Sequence, residues 1–177
     1  VVVCLPRILK SEPGEFAKTM INNKFTRIER VGKLLVFHLA RGGYLLMHLK
    51  MTGQLILCDG KSVVAGGHSD SRDPRQVPNK WTRLVFSFAG GKRLFFNDLR
   101  TFGYARIVGQ AELAEIKARF GPDQVASRLP YADFSAKVKR RQTSIKAILL
   151  DQKLISGLGN IYVDEVLFAA GVSPERR

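Results

Sequence analysis

Branched and aromatic residues recur in short runs through the N-terminal part of the chain, and glycines break the runs apart. Arg27–Val31, Lys33–Leu39, Tyr44–Leu49 and Gln54–Cys58 read as strands, with Gly32, Gly42-Gly43, Gly53 and Asp59-Gly60 between them. Leu84, Phe86 and Phe88 alternate with Val85 and Ser87, which predicts a strand with one strongly apolar face. Ala89-Gly90-Gly91 turns that strand into another over Arg93–Asn97, and Tyr104–Val108 follows. Closely spaced strands with short turns predict antiparallel sheets, most simply a sandwich. Glu15–Asn22 predicts one early helix packed outside them. Between Ser62 and Asn79 the pattern lapses into Gly, Ser, Asp, Pro and Arg, which predicts a long polar loop.

From Ala111 onward the period changes. Glu112–Phe120, Asp133–Arg140, Ile145–Gln152 and Ile161–Ala170 read as helices, and Gly171 is a reasonable terminal cap. The chain is therefore expected to be α+β. An antiparallel β-sandwich domain spans residues 1–110 and a helical domain spans 111–177, with no internal repeat.

Charge narrows the partner. The chain of 177 residues carries 29 Lys and Arg against 15 Asp and Glu, a formal net charge of +14. Such an excess sets up a positive field that favours a polyanion. Hydrophobic residues make up 45%, which excludes wholesale disorder. The basic residues run through both halves instead of lining one helix, which argues against a membrane-surface anchor. No apolar run approaches a membrane span and no signal peptide is visible, so an intracellular nucleic acid is the expected partner, with no membrane. Cys4 and Cys58 sit among apolar neighbours and are expected to be reduced and buried; neither has the paired spacing of zinc ligands. The chain opens on Val1-Val2-Val3, in what reads as the middle of a strand, and ends just after a helix. It is expected to be an internal piece of a longer protein.

Several segments carry candidate chemistry. Ser156-Gly157-Leu158-Gly159-Asn160 allows a sharp turn into a helix, with Asn160 standing where an N-cap belongs. It reads either as a well-capped helix junction or, beside Lys146, as a clamp for a phosphate. In His48-Leu49-Lys50-Met51-Thr52-Gly53, alternation sends Met47, Leu49 and Met51 to one face, so Met51 is core filling or a wedge facing nucleic acid. In Asp98-Leu99-Arg100-Thr101-Phe102-Gly103, Arg100 and Phe102 project together in extended backbone. They read as an Asp98–Arg100 pair with a core phenylalanine, or as a cation and ring presented to DNA. Lys33, ahead of an apolar strand, is a solvated residue, a phosphate contact or a proton-transfer lysine. Lys137, Lys139, Arg140, Arg141 and Lys146 give the helical half a surface suited to phosphate neutralisation rather than base reading.

Taken in order, Val31-Gly32-Lys33-Leu34-Leu35, His48–Gly53, Asp98–Gly103, Thr143-Ser144-Ile145-Lys146, Gly157–Tyr162 and Glu165–Gly171 resemble one family. It is that of the formamidopyrimidine-DNA glycosylases, with the related endonuclease VIII enzymes, and the resemblance spans nearly the whole chain. It implies a β-sandwich joined to a helix–two-turns–helix domain, here partial, with DNA in the cleft between. The implied activity is a bifunctional base-excision repair glycosylase and abasic-site lyase. Such an enzyme removes oxidised purines, 8-oxoguanine and formamidopyrimidines, from duplex DNA and then cleaves the strand.

By position, Lys33 resembles the lysine assigned to β-elimination and phosphate contact. Met51, Arg100 and Phe102 resemble the trio that fills the gap left by an everted nucleotide, an arrangement that favours the formamidopyrimidine branch. Lys146 and Asn160 resemble a phosphate clamp, and Arg141 a basic DNA contact. The implied partner is double-stranded DNA with oxidised bases or abasic sites, bound by a monomer in the bacterial cytoplasm, associated with the nucleoid.

The departures matter as well. The family's N-terminal proline amine, the glutamate after it, the loop that caps the everted base and the C-terminal finger with its Zn2+ have no counterpart here. This fragment is expected to hold no cofactor and to be catalytically inactive, the zinc belonging to the parent. Trp81 stands where the family often carries a DNA-contacting histidine. Alternatives are a non-catalytic damaged-DNA-binding protein and an endonuclease VIII-like glycosylase for oxidised pyrimidines.

Overall fold

Each strand expected from the branched and aromatic runs forms, with small shifts at its ends, in the computed structural model, which describes residues 1–68, 73–123 and 129–177. The strands are β1 (Val2–Val3), β2 (Phe25–Val31), β3 (Leu34–Leu39), β4 (Tyr44–His48), β5 (Gly53–Cys58), β6 (Val63–Gly67), β7 (Thr82–Ser87), β8 (Arg93–Asp98) and β9 (Tyr104–Val108). They form two sheets, ordered β1-β7-β8-β5-β6 and β2-β3-β4-β9. The pairings β1–β7, β7–β8, β5–β8, β5–β6, β3–β4 and β4–β9 are antiparallel. A short 3-10 helix (Pro6–Ile8) and one α-helix, α1 (Pro13–Met20), precede β2; the Glu12 carboxylate caps α1 by accepting from Gly14 and Glu15 N–H at 2.7 and 3.1 Å.

The chain divides into two units, one of Val1–Glu29 and Leu34–Gln110, the other of Arg30–Lys33 and Ala111–Arg177. In the first, Leu84, Phe86 and Phe96 of one sheet pack in a single core with Phe37, Leu39, Leu45, Met47 and Ala105 of the other. Ile8, Leu9 and Phe16 join that core from the segment between β1 and β2. Burying each large side chain of this kind stabilises the fold by about 1.5–3 kcal/mol. β8 lies inside its sheet, and Phe95, Phe96, Asn97 and Asp98 are all buried at its end.

Two expectations fail in this unit. The polar stretch Ser62–Asn79 is not all loop: β6 pairs with β5 from Cys58↔Val63 to Gln54↔Gly67. An edge strand needs only backbone partners, so its mostly exposed, glycine-containing sequence left no apolar signature. Residues 69–72 of that stretch lie outside the described residues. Cys4 is exposed instead of buried, because β1 is a two-residue edge strand that ends before it, and Cys58 at the end of β5 is only half-buried.

The second unit contains α2 (Gln110–Ala118), α3 (Tyr131–Lys139), α4 (Ile145–Leu150) and α5 (Asn160–Ala169), α2 starting one residue earlier in the chain. Its core is Ile148, Leu149, Leu154, Ile155, Val163 and Leu167. Ser144 caps α4, its Oγ accepting from Ala147 N–H at 3.4 Å. Gly171 has φ +63, and α5 ends in the two bonds of a Schellman motif: Val172 N–H to Leu167 C=O and Gly171 N–H to Phe168 C=O, both 3.0 Å. Among the described residues no helix is long and apolar enough to cross a membrane.

Candidate functional site

In the first unit the β4–β5 and β8–β9 turns converge on one exposed cluster. Alternation along β4 would carry Met51 into the core with Met47. Lys50 interrupts it by adopting a left-handed φ of +53, and the strand ends at His48. Met51 is therefore 56% exposed, and Phe102 is 52% exposed, so neither is core filling. The Arg100 guanidinium joins them: Nη1 lies 3.3 Å from Met51 Sδ, and Cζ stands 4.7 Å from the Phe102 ring centroid. A cation over a ring face at that distance is attracted by the ring quadrupole. Arg100 does not use Asp98 as its partner. Asp98 is fully buried and accepts instead from the Thr52 hydroxyl and from Gly103 N–H. The cluster is a cation flanked by two apolar side chains, a shape suited to entering a base stack.

Arginines support this turn from behind. Arg83 Nε donates to Asp98 C=O at 2.8 Å, and Arg7 Nη2 donates to the Thr101 hydroxyl at 2.9 Å. Partial burial pushes the Arg83 guanidinium below its ordinary pKa; Asp98 opposes the shift and Arg7 adds to it. Trp81 is partly buried under the Lys80 ammonium, which lies 4.8 Å from its ring centroid.

The second unit holds another group of the sequence-derived candidates. Arg30 braces the turn ahead of Lys33, donating to Gly32 C=O at 2.6 Å and to Asp123 Oδ1 at 2.8 Å. Gly32 has φ +57, and a Cβ there would stand 3.0 Å from the Phe120 ring. The turn brings Lys33 to the start of α5, where a Cβ on Gly159 would lie 2.5 Å from Lys33 Nζ. Gly159, and not Asn160, occupies the cap position, with φ −128 and ψ 177 and no side-chain cap bond. Asn160 is the first helical residue and its side chain is exposed, so capping does not consume it. The first N–H groups of any helix lack intrahelical partners, so the start of α5 and the Lys33 ammonium present positive charge at one place. Gln152 pins the approaching loop: its Nε2 donates to Leu158 C=O at 2.9 Å and its Oε1 accepts from Gly157 N–H at 3.0 Å.

Lys146 and Arg141 have carboxylate partners, Asp164 at 2.7 Å and Asp151 at 3.1 Å respectively. Both pairs are partly exposed, so a phosphate can compete for either cation at modest cost. Sequence reasoning passed over Arg30, Asp123, Thr52 and Gln152, and offered Asp98 only as a partner for Arg100. Asp98 and Thr52 stood inside segments already singled out, but nothing in their spacing said that they would meet.

The zinc finger implied by the resemblance does not fit residues of this chain. Its two cysteines, Cys4 and Cys58, are both free. Among the described residues no group of three or more His, Cys, Asp and Glu side chains is placed to hold a metal ion.

Comparison with known proteins matches both parts of the chain. The model of the formamidopyrimidine-DNA glycosylase N-terminal domain matches residues 1–105, and that of the formamidopyrimidine-DNA glycosylase H2TH domain matches residues 120–177. A formamidopyrimidine-DNA glycosylase of Pelotomaculum thermopropionicum is 35% identical over 179 residues, covering 99% of this chain and 60% of the relative. One from Desulfitobacterium hafniense is 36% identical over 167 residues, covering 93% of this chain and 56% of the relative. This chain thus spans about 60% of the length of such relatives. Among solved structures, the complex of Lactococcus lactis Fpg with abasic-site DNA superposes with a TM-score of 0.81 at 28% identity, covering 99% of this chain and 60% of that one. The complex of the same Lactococcus enzyme with Fapy-dG-containing DNA also gives 0.81 at 28% identity, covering 99% and 62%.

Proposed function

Because the chain belongs to the formamidopyrimidine-DNA glycosylase family, we propose that it is the DNA-engaging part of a base-excision repair glycosylase and abasic-site lyase. Its substrate is duplex DNA carrying oxidised purines or abasic sites. The observation that carries this reading is the exposed cluster of Met51, Arg100 and Phe102, gathered from two turns around one guanidinium. Everting a nucleotide costs a few kcal/mol of stacking and pairing, least at a damaged position. Side chains entering the gap offset that cost: Met51 and Phe102 stack against the neighbouring bases, and Arg100 hydrogen-bonds the base left without a partner.

Lys33 and the start of α5, with Asn160, hold a phosphate next to the lesion. Lys33 also serves the proton transfer of β-elimination, and Lys146 and Arg141 neutralise flanking phosphates. The family's nucleophile is a proline amine. The 177 residues are proposed to bind damaged DNA, the iminium step of the family's reaction belonging to that proline amine.

Binding to a duplex with a tetrahydrofuran abasic analogue, measured against the intact duplex by anisotropy, tests the reading. Tighter binding to the abasic duplex supports it, and equal affinity sinks it. Borohydride trapping on 8-oxoguanine duplex is expected to yield no covalent adduct with the 177-residue chain.

The phosphate site makes its own prediction. Gly159→Ala places a methyl group 2.5 Å from Lys33 Nζ, and a flexible lysine can move aside. The fold should lose no more than about 1 kcal/mol, the difference between glycine and alanine at a cap. Affinity for both duplexes should fall together, and the salt dependence of log K should lose about one unit of slope, as for Lys33→Ala. An unchanged slope would remove Lys33 from the phosphate contact.

A further inference from the structure

We propose that buried Asp98 and half-buried Thr52 form a latch that locks the β4–β5 and β8–β9 turns together, so that Met51, Arg100 and Phe102 meet DNA as one preassembled unit. The proposal rests on the nucleic-acid reading of that cluster and adds residues that act through it. The two turns are far apart in sequence, and the latch joins them by a short chain of hydrogen bonds. The Thr52 hydroxyl donates to Asp98 Oδ1, and Thr52 Oγ1 in turn accepts from Arg100 N–H at 3.0 Å. Asp98 Oδ2 accepts from Gly103 N–H at 2.8 Å. Thus one carboxylate and one hydroxyl fix the residue before Gly53, the backbone of Arg100 and the residue after Phe102.

Three features mark the latch as a positioning device rather than ordinary packing. A buried carboxylate is expensive unless fully hydrogen-bonded, and an apolar side chain would serve stability as well. Asp98 is 0% exposed at the end of a strand whose neighbours supply a large apolar core. Its backbone is held too, with N–H donating to Trp81 C=O at 2.9 Å and C=O accepting from Arg83. Next, the latch sits between two non-glycine residues in left-handed backbone, Lys50 at φ +53 and Thr101 at φ +57. Such conformations persist where surrounding bonds over-determine them, and a β-branched residue in one is an outlier. Arg7 restrains Thr101 by its hydroxyl. Finally, with Asp98 occupied by Thr52 and Gly103, the Arg100 guanidinium lies against Met51 and Phe102. A base-probing arginine held in that position loses less conformational freedom on binding.

Thr52→Val removes the hydroxyl at nearly constant shape, and Thr52→Ser retains it. The probe is a duplex with 2-aminopurine opposite a tetrahydrofuran site, whose fluorescence reports insertion next to the base, together with anisotropy on the intact duplex. Thr52→Val removes the bond to the Asp98 carboxylate and the bond from Arg100 N–H, and is expected to lower the preference for the abasic duplex by at least about tenfold, the worth of one hydrogen bond to a charged group. It should also reduce the 2-aminopurine change and leave intact-duplex affinity within about twofold. Thr52→Ser should restore both. A wild-type preference that Thr52→Val leaves untouched overturns the latch; a wild-type chain with no preference overturns the nucleic-acid reading itself. Should Thr52→Val fail to fold, amide exchange on the wild type decides. The Arg100 and Gly103 amides are expected to be protected although Arg100 and Phe102 are exposed, and exchange at unstructured rates would rule the latch out.

Discussion

Phe96→Ala is expected to destabilise the β unit by about 3–5 kcal/mol, the largest stability loss of any change considered for this chain. Phe96 is fully buried in β8, opposite Leu55 of β5 and Leu84 of β7, and belongs to the core shared by both sheets. Its removal leaves a cavity in a well-filled core instead of a surface gap. The ring has a second task. Its Cζ lies 2.7 Å from where a Cβ on Gly103 would stand, so its tip supports the turn that carries Arg100 and Phe102. The same closeness explains why position 103 admits only glycine, since His48 C=O and Asp98 Oδ2 are also within 3.0 Å of that point. Urea unfolding followed by the fluorescence of the single tryptophan, Trp81, measures the effect. A lower midpoint with an unchanged m value is expected, Phe96→Leu losing less than half as much. A loss under about 1 kcal/mol would show that β8 is not central to the core.

The pattern that announced the sandwich is the one the core uses. Leu34, Val36, Phe37 and Leu39 of β3 are buried, and Leu45, Leu46 and Met47 of β4 are buried against them. Helix α5 was legible because its apolar period is long and Gly171 stops it where a left-handed residue is needed. What escaped depended on backbone or distance. Period-two reasoning put Met51 on the face of Met47 and so left core filling open for it, because nothing in a lysine signals that Lys50 will turn left-handed. β6 escaped because backbone bonds alone hold an edge strand. Asn160 is a good cap by side chain, yet Gly159 takes the cap because its backbone is already extended there. The Arg30–Asp123 pair, 93 residues apart, has no local signal at all. The candidate DNA-facing residues were legible as motif members, and the residues that hold them were not.

Arg100→Ala is expected to lower the preference for abasic over intact duplex about a hundredfold, close to abolishing it, because it removes the centre of the cluster as well as its charge. The guanidinium contacts Met51 Sδ at 3.3 Å and covers the Phe102 ring at 4.7 Å, so its loss frees both apolar side chains to move separately. Arg100→Lys separates geometry from charge. An ammonium keeps the positive charge but lacks the planar fork that stacks on a ring and pairs with a base edge. If charge alone mattered, Arg100→Lys would match the wild type and Arg100→Ala would weaken both duplexes equally. If the planar group is inserted, Arg100→Lys keeps intact-duplex affinity and loses most of the preference. Lys146→Ala should do the reverse, since a phosphate contact carries no information about the lesion: both affinities fall and their ratio stays. Anisotropy titrations of these three variants at fixed salt read the two ratios directly. Arg100 marks lesion recognition only if its ratio collapses while that of Lys146→Ala holds.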